Sequence, residues 1–303
     1  MKKLFQRIYH KLHDTVYRAF ERYDLTTWDV PLSVSLPIYG VYHVYCDTNW
    51  QDMVTEQIKA LKASGLLEQT AKLYVNCIGQ PQDIEELRRI ICSDKMELIA
   101  VVQDSRQYEY PALKFLHEKS QQEDALFYYF HTKGISYQAL KVKDKRFKRF
   151  KRNIEAWRNM MEYFLFDKWR VAVNVLTYGN YDTYGCYRLP PPPAAYYLYA
   201  GNFWWSRSSY LRRLPIFTPS QFSVERFSAE TWLYKAKPHD FSAFDTMADL
   251  YYVYIPPVLY HDAEPPYMAK FRFIAWYNIR KFRKQILGYD YKKHYQLRYQ
   301  RIR

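Results

Sequence analysis

Cysteine is scarce: four occur, at positions 46, 77, 92 and 186, and no two are spaced Cys-x-x-Cys. Zinc spacing of the usual kind is thereby excluded, and the four read as reduced core thiols of a reducing compartment. No apolar run approaches the roughly 20 residues that span a bilayer, and no signal-like apolar segment follows Met1-Lys2-Lys3. A membrane-spanning or exported chain is not expected. The Walker phosphate loop, the Gly-x-Ser-x-Gly elbow and the Gly-x-Gly-x-x-Gly turn are missing as well. Acids are nearly absent from two stretches. Residues 268–303 hold eleven Lys and Arg against Asp290 alone, a net +10, and residues 141–152 hold eight against Asp144, a net +7. The chain totals +14, so the remainder is slightly acidic. Basicity this local implies an anionic partner: a phosphorylated ligand, a lipid head-group surface or nucleic acid.

What is abundant is aromatic surface: 19% of residues, 32 of them Tyr, in a chain that is 49% hydrophobic. Such a chain folds and keeps stacking or interfacial surfaces. Its 303 residues suit one large α/β domain with decorations, or two small domains. Residues 1–24 place Leu4, Ile8, Leu12, Val16, Phe20 and Tyr23 on one stripe of an amphipathic helix, and a loop follows to Pro37. Strands are expected over 40–46, 72–78, 97–102 and 125–130, with helices over 51–64, 82–92 and 108–118 between them. That alternation predicts a mostly parallel sheet covered by helices on both faces. The second half is less regular. We expect helices over 145–169, 208–214 and 224–234, strands over 196–205 and 251–255, and an amphipathic helix over 268–287 with Phe271, Ala275, Ile279, Phe282 and Ile286 on one side.

Four constellations carry chemical possibilities. His131-Thr132-Lys133-Gly134 directly follows the aromatic run 125–130. Ligands of open α/β sheets bind beyond the carboxyl ends of strands, and here an imidazole, a hydroxyl, a cation and a permissive backbone stand at such an end. A polar loop without a ligand fits the local pattern equally well. Cys46-Asp47-Thr48-Asn49-Trp50 ends the first strand, where Asp47 or Asn49 could hydrogen-bond a base or ribose or simply cap the next helix. Gly201-Asn202-Phe203-Trp204-Trp205 joins an amide to two indoles on opposite faces of a strand. One indole is expected in the core and the other at a cleft that holds a sugar. Glu225 and Glu230 are candidates for a general base, with Arg226 pairing the other, or are solvated helix acids. Asp182, in Tyr181-Asp182-Thr183-Tyr184-Gly185-Cys186, and His261 are weaker candidates for metal ligands.

Together these motifs resemble a group of bacterial glycosyltransferase-like proteins of surface-polysaccharide synthesis. The matching segments are Tyr42-His43-Val44-Tyr45 with Asn49-Trp50, residues 57–66, Tyr108 to Leu113, His131-Thr132-Lys133-Gly134, residues 157–161, residues 181–186, Gly201 to Trp205, and residues 225–232. The His-Thr-Lys element is also similar to glycosyltransferases of the rhamnan-synthesis type. The resemblance implies a GT-A-like nucleotide-diphospho-sugar fold. It also implies diphosphate binding by His131, Thr132, Lys133 and Gly134, nucleotide contacts from Asp47 and Asn49, acceptor contacts from Asn202, Trp204 or Trp205, and an acceptor-activating carboxylate at Glu230 or Glu225. A GT-A enzyme usually holds a divalent metal with Asp-x-Asp, where this chain reads His-Thr-Lys. Either Lys133 neutralises the diphosphate without metal, or Mn²⁺ or Mg²⁺ is held by His131 with Asp182 or His261.

The organisation expected is an amphipathic helix and linker over 1–37, a GT-A-like domain over 38–262 and a basic tail over 263–303. The function expected is transfer of a sugar from a UDP-, GDP- or dTDP-linked donor to a glycan or lipid-linked acceptor. The protein would work at the cytoplasmic side of the cell membrane, resting on its anionic surface through the basic tail. Whether it inverts or retains is open. The rivals are a nucleic-acid binder, disfavoured because the charge lies in one helix and the tail, and a non-catalytic sugar-binding subunit of the same fold.

Overall fold

The computed structural model describes residues 5–6, 21–31, 36–47, 49–138, 145–189, 198–217 and 226–289. Thr48, Glu225 and nearly all of the helix expected over 1–24 lie outside them. The chain forms two compact units. One comprises Tyr23–Ala139 with Met161–Ala243, the other Met1–Arg22, Leu140–Met160 and Phe244–Arg303.

The larger unit is α/β and is built on a seven-stranded sheet. Its strands are β1 (Ile38–Tyr45), β2 (Thr70–Ile78), β3 (Met96–Val102), β4 (Leu126–His131), β5 (Thr183–Gly185), β6 (Trp204–Arg207) and β7 (Asp240–Ser242). They lie in the order β3-β2-β1-β4-β6-β5-β7. The first four are parallel, β6 runs antiparallel to both β4 and β5, and β7 is parallel to β5. Helices α1 (Trp50–Ala63), α2 (Pro81–Ile90) and α3 (Tyr110–Ser120) connect the first four strands. Pro81 and Pro111 stand in the first turns of α2 and α3, where the missing N–H costs no helical bond. The order turns back between β1 and β4, because the chain winds from β1 outward to β3 and then returns to the other side of β1. At such a reversal the two flanking connections diverge and leave a crevice at the carboxyl edge.

Alternation along β4 sorts its side chains. Phe127 and Tyr129 face a core shared with Val41, Trp204 and helix α3, and the same core takes Ala229, Trp232 and Leu233 from α6 (Arg226–Thr231) and the turn after it. Tyr128 and Phe130 face the opposite side, where Phe130 stacks on Tyr42 at 4.2 Å and meets Phe166 edge-on at 5.0 Å. Gly40 on β1 admits this packing. A Cβ there would come within 2.4 Å of the Tyr128 ring.

The helix expected over 145–169 is α4 (Lys145–Glu162), which continues as a π-helical turn, Tyr163–Asp167, before a new helix, α5 (Trp169–Tyr178). The turn turns the Leu165 carbonyl toward the indole N–H of Trp205, which donates to it at 3.0 Å. Three further expectations are corrected. Glu21–Arg22 form a strand paired with Phe244–Asp245, so no helix reaches residue 24. Residues 251–255 are not a strand: the Asp249 carboxylate accepts from Tyr251 N, and its carbonyl accepts from Tyr252 N and Val253 N, closing a turn. The strand expected over 196–205 is two short ones, Leu198–Tyr199 and β6, separated by left-handed Gly201 and Asn202 at φ 96° and 59°.

In the smaller unit, Phe150 stacks on Tyr251 at 5.6 Å, Trp157 meets the same ring edge-on, and Asn153 donates to the Tyr251 carbonyl at 3.1 Å. Its long helix, α7 (Tyr267–Ile286), buries Phe273 and Tyr277.

Candidate functional site

The carboxyl ends of β1 and β4 are stitched together where the sheet order reverses. His43 pairs in register with His131. Thr132 N donates to the His43 carbonyl at 3.2 Å, and the Thr132 hydroxyl oxygen accepts from Tyr45 N at 2.9 Å. Lys133 N donates back to the His131 carbonyl at 2.7 Å, and Gly134 takes φ 83° to start the one-turn helix Ile135–Gln138. Gln57 of α1 supports the bend from below, donating to the His131 carbonyl at 3.4 Å and to Glu162 at 2.7 Å while Tyr42 OH donates to its side-chain oxygen. The bend is therefore held by bonds from β1 and α1 and by one within itself, and Lys133 is carried on it.

A buried polar cluster lies behind that bend. His131 Nε2 is 2.8 Å from the Gly201 carbonyl, an acceptor only, so Nε2 carries the proton. His131 Nδ1 lies 3.8 Å from Glu109 Oε1. Glu109 Oε2 accepts from Tyr129 OH at 3.0 Å and from the Asn202 amide. Asn202 in turn accepts from the Trp204 indole N–H at 2.8 Å. His43 Nδ1 meets Asn76 Oδ1 at 2.7 Å. Glu109 stands just after Tyr108, whose φ of 45° is rare for a residue with a side chain, and just before α3. Asn49, Tyr108, Gly134, Gly201 and Asn202 all take positive φ, and all lie in connections at this edge of the sheet. Backbone held in costly conformations is concentrated where binding residues have to be placed.

Burial sets the charges. Burial lowers the pKa of His131, and Lys133 and His43 press it further the same way against the opposing field of Glu109. Burial likewise lowers His43, against Glu109 and the Asn76 bond. Burial pushes Glu109 upward, but the two imidazoles and the bonds from Asn202 and Tyr129 together bring it below its ordinary value. Glu109 is thus a carboxylate beside two neutral rings at neutral pH. Burial raises the Tyr129 phenol well above its usual value, Glu109 adds to that, and so does the charge of Glu230. Glu230 itself is half-buried on α6, whose Ala229 shares the core with Tyr129.

A pH dependence follows. An imidazole whose folded pKa is depressed takes up a proton in the unfolded chain first, so its contribution is complete above the usual value near 6.5 and is lost as pH falls below it. Glu109 adds a loss at lower pH, below the ordinary carboxylate range. The melting temperature should be level from pH 8 to about 7 and fall steadily below about 6.5. A level profile down to pH 5 would contradict these assignments.

The other expected site residues fall as follows. Asp47 is half-buried and Asn49 exposed at the entry of α1, where Asn49 makes no side-chain cap. Trp50 is buried and donates to Asp83 at 3.0 Å, so it packs inside. Trp204 and Trp205 do point to opposite faces, but both faces are covered. Trp204 stacks on Tyr129 and Trp205 packs on Tyr128, and no indole is left at a cleft. Asn202 is buried with both ends of its amide bonded, so this segment shapes the rim from within. Asp182 is held by Arg207 at 2.7 Å, Arg213 at 2.9 Å and the His239 N–H at 3.0 Å, which leaves a poor anion for a cation to find. His131 has one nitrogen on a carbonyl. Among the described residues no group of three His, Cys, Asp or Glu is arranged to hold a metal ion. His131 and Asp182, each already engaged, are poor metal ligands.

Sequence reasoning passed over Glu109, His43, Asn76 and Gln57. A signal was present for one of them: His43 is the one basic side chain in β1.

Among curated proteins, none matches this chain. A solved structure from Desulfovibrio desulfuricans G20, described as a "putative nucleotide-diphospho-sugar transferase", aligns with 84% of this chain and 98% of its own. The identity is 13% and the TM-score 0.35, too loose an overlap to carry an argument. Residues 41–245 match the family model of a domain of unknown function, DUF8361, and the chain belongs to that family.

Proposed function

We propose that the larger unit is a GT-A-type glycosyltransferase that moves a sugar from a nucleoside-diphosphate donor to a hydroxyl of a glycan or lipid-linked glycan, working on cell-surface polysaccharide from the cytoplasmic side. The observation that supports this reading is a lysine carried, at the sheet's reversal point, on a bend whose backbone is bonded to β1. Lys133 stands on that bend between β1 and β4, and α6, which carries Glu230, packs its Ala229 into the core that Tyr129 of β4 shares.

In this reading the nucleotide lies along the carboxyl ends of β1 to β4, with Asp47 and Asn49 toward base or ribose. The acceptor oxygen attacks the anomeric carbon, forming the new C–O bond. The bond from that carbon to the diphosphate oxygen breaks, and the diphosphate leaves with the electron pair. Lys133 and the backbone of Gly134 meet the charge that develops there, on groups already in place. Glu230 takes the proton that the acceptor hydroxyl loses. His131 and Glu109 do not touch substrate in this scheme. They fix the bend and the 201–202 turn.

Thermal shift with nucleoside diphosphates tests the reading. A ligand that binds only the folded state raises stability by about 2.7 kcal/mol at a hundredfold excess over Kd. At least one of UDP, GDP and dTDP should raise the melting temperature at millimolar concentration. No shift with any of the three would overturn the donor site.

A further inference from the structure

Helix α7 is amphipathic in a way that packing does not explain. Phe273 and Tyr277 are buried, 3% and 5% exposed. Met268, Phe271, Ala275, Ile279, Phe282 and Ile286 lie on the opposite side of the helix, and Phe271, Phe282 and Ile286 are 67%, 56% and 67% exposed. Burying the first pair satisfies the helix's place in the fold and leaves the longer apolar stripe outside. A contiguous exposed stripe of this length marks an interaction surface.

The chemistry around the stripe selects the partner. The helix carries Lys270, Arg272, Arg280, Lys281, Arg283 and Lys284 and no acid. Arg272 and Arg283 lie along one border of the stripe, and Trp276, half-exposed beside them, has Arg280 over its ring at 5.6 Å. Cations around an apolar stripe with a Trp at its margin suit lipid, where acyl chains take the stripe and anionic head groups the cations. The spacing points the same way. The six stripe residues follow steps of 3-4-4-3-4, so that Met268, Phe271 and Ala275 recur after eleven residues as Ile279, Phe282 and Ile286. Eleven residues in three turns run almost straight along a helix, with a slight drift opposite in hand to a heptad seam. A straight stripe meets a plane along its whole length of about 27 Å. A left-handed coiled-coil partner would lose register with it. Among the described residues no helix is long and apolar enough to cross a membrane.

We propose that the outward face of α7 is where the protein lies on an anionic lipid bilayer, with Phe271, Ile279, Phe282 and Ile286 at acyl depth and Arg272 and Arg283 among head groups. This surface stands independently of the donor chemistry.

Co-sedimentation of the full chain with vesicles of phosphatidylcholine containing one-third phosphatidylglycerol tests it. The wild type should partition strongly, less onto pure phosphatidylcholine, and less again near 1 M salt, where charges are screened beyond ~3 Å. Phe271→Ser with Phe282→Ser should weaken partitioning at least about tenfold. Arg272→Gln with Arg283→Gln should weaken it several-fold on anionic vesicles alone. Nucleoside-diphosphate stabilisation, measured on the same variants, should be unchanged, which separates this face from the donor site. Failure of the wild type to bind anionic vesicles would overturn the proposal. So would a lipid-free dimer that the Phe variants dissociate, since a second copy would then be the occupant.

Discussion

Glu230→Gln is expected to abolish most sugar transfer, by about 10²- to 10⁴-fold, while nucleoside-diphosphate binding stays as in the wild type. The substitution keeps the size of the side chain and removes its ability to take a proton. Glu230 is carried on α6, whose Ala229 is buried in the core with Tyr129 and Trp204, so the position is fixed by packing that Gln does not disturb. Kinetics with any accepted donor, alongside calorimetric binding, separates the two effects. A variant that transfers at the wild-type rate would remove Glu230 from the chemistry.

Glu109→Ala carries the largest expected effect on stability, a loss of about 3 kcal/mol. The buried carboxylate receives the Tyr129 hydroxyl and the Asn202 amide and faces His131, and Ala would leave all three without it. A loss of this size lowers the melting temperature of a domain of this length by about 10 °C. Glu109→Gln should lie between, because its amide oxygen still accepts from Tyr129 while its N–H groups confront those of Asn202. In both variants the 201–202 turn loses its anchor, so transfer should fall through weaker donor binding. Equal stability of all three proteins in urea would show that the cluster is an incidental contact.

The first half of the chain was legible because its signals are local. Each of the first four strands is a mainly apolar or aromatic run, and each helix between them opens or closes on Pro or Ser, so alternation alone points to the parallel sheet. The strands β5 and β7 were not legible. Three residues each, they owe their conformation to neighbours: Thr183-Tyr184-Gly185 is held by β6, and Asp240-Phe241-Ser242 by β5. The adjacent tryptophans were read correctly as pointing opposite ways. Their surroundings were not, because a sheet covered on both faces has no outside for either ring. The site divides the same way. His131-Thr132-Lys133-Gly134 stands out as polar residues at the end of a buried strand. Glu109 does not, because what makes it special is its meeting with His131, Tyr129 and Asn202 from 20 to 93 residues away. The stripe of α7 was visible as a pattern, but only the burial of Phe273 and Tyr277 shows which way it faces.

The most direct measurement is a calorimetric titration of the wild type and of Lys133→Ala with UDP, GDP and dTDP. One of the three should bind the wild type, and the variant should bind it about tenfold to a hundredfold more weakly, the worth of a charge-assisted contact to the diphosphate. Equal affinity for both proteins, or no binding to either at millimolar nucleotide, would contradict a diphosphate seated at the end of β4.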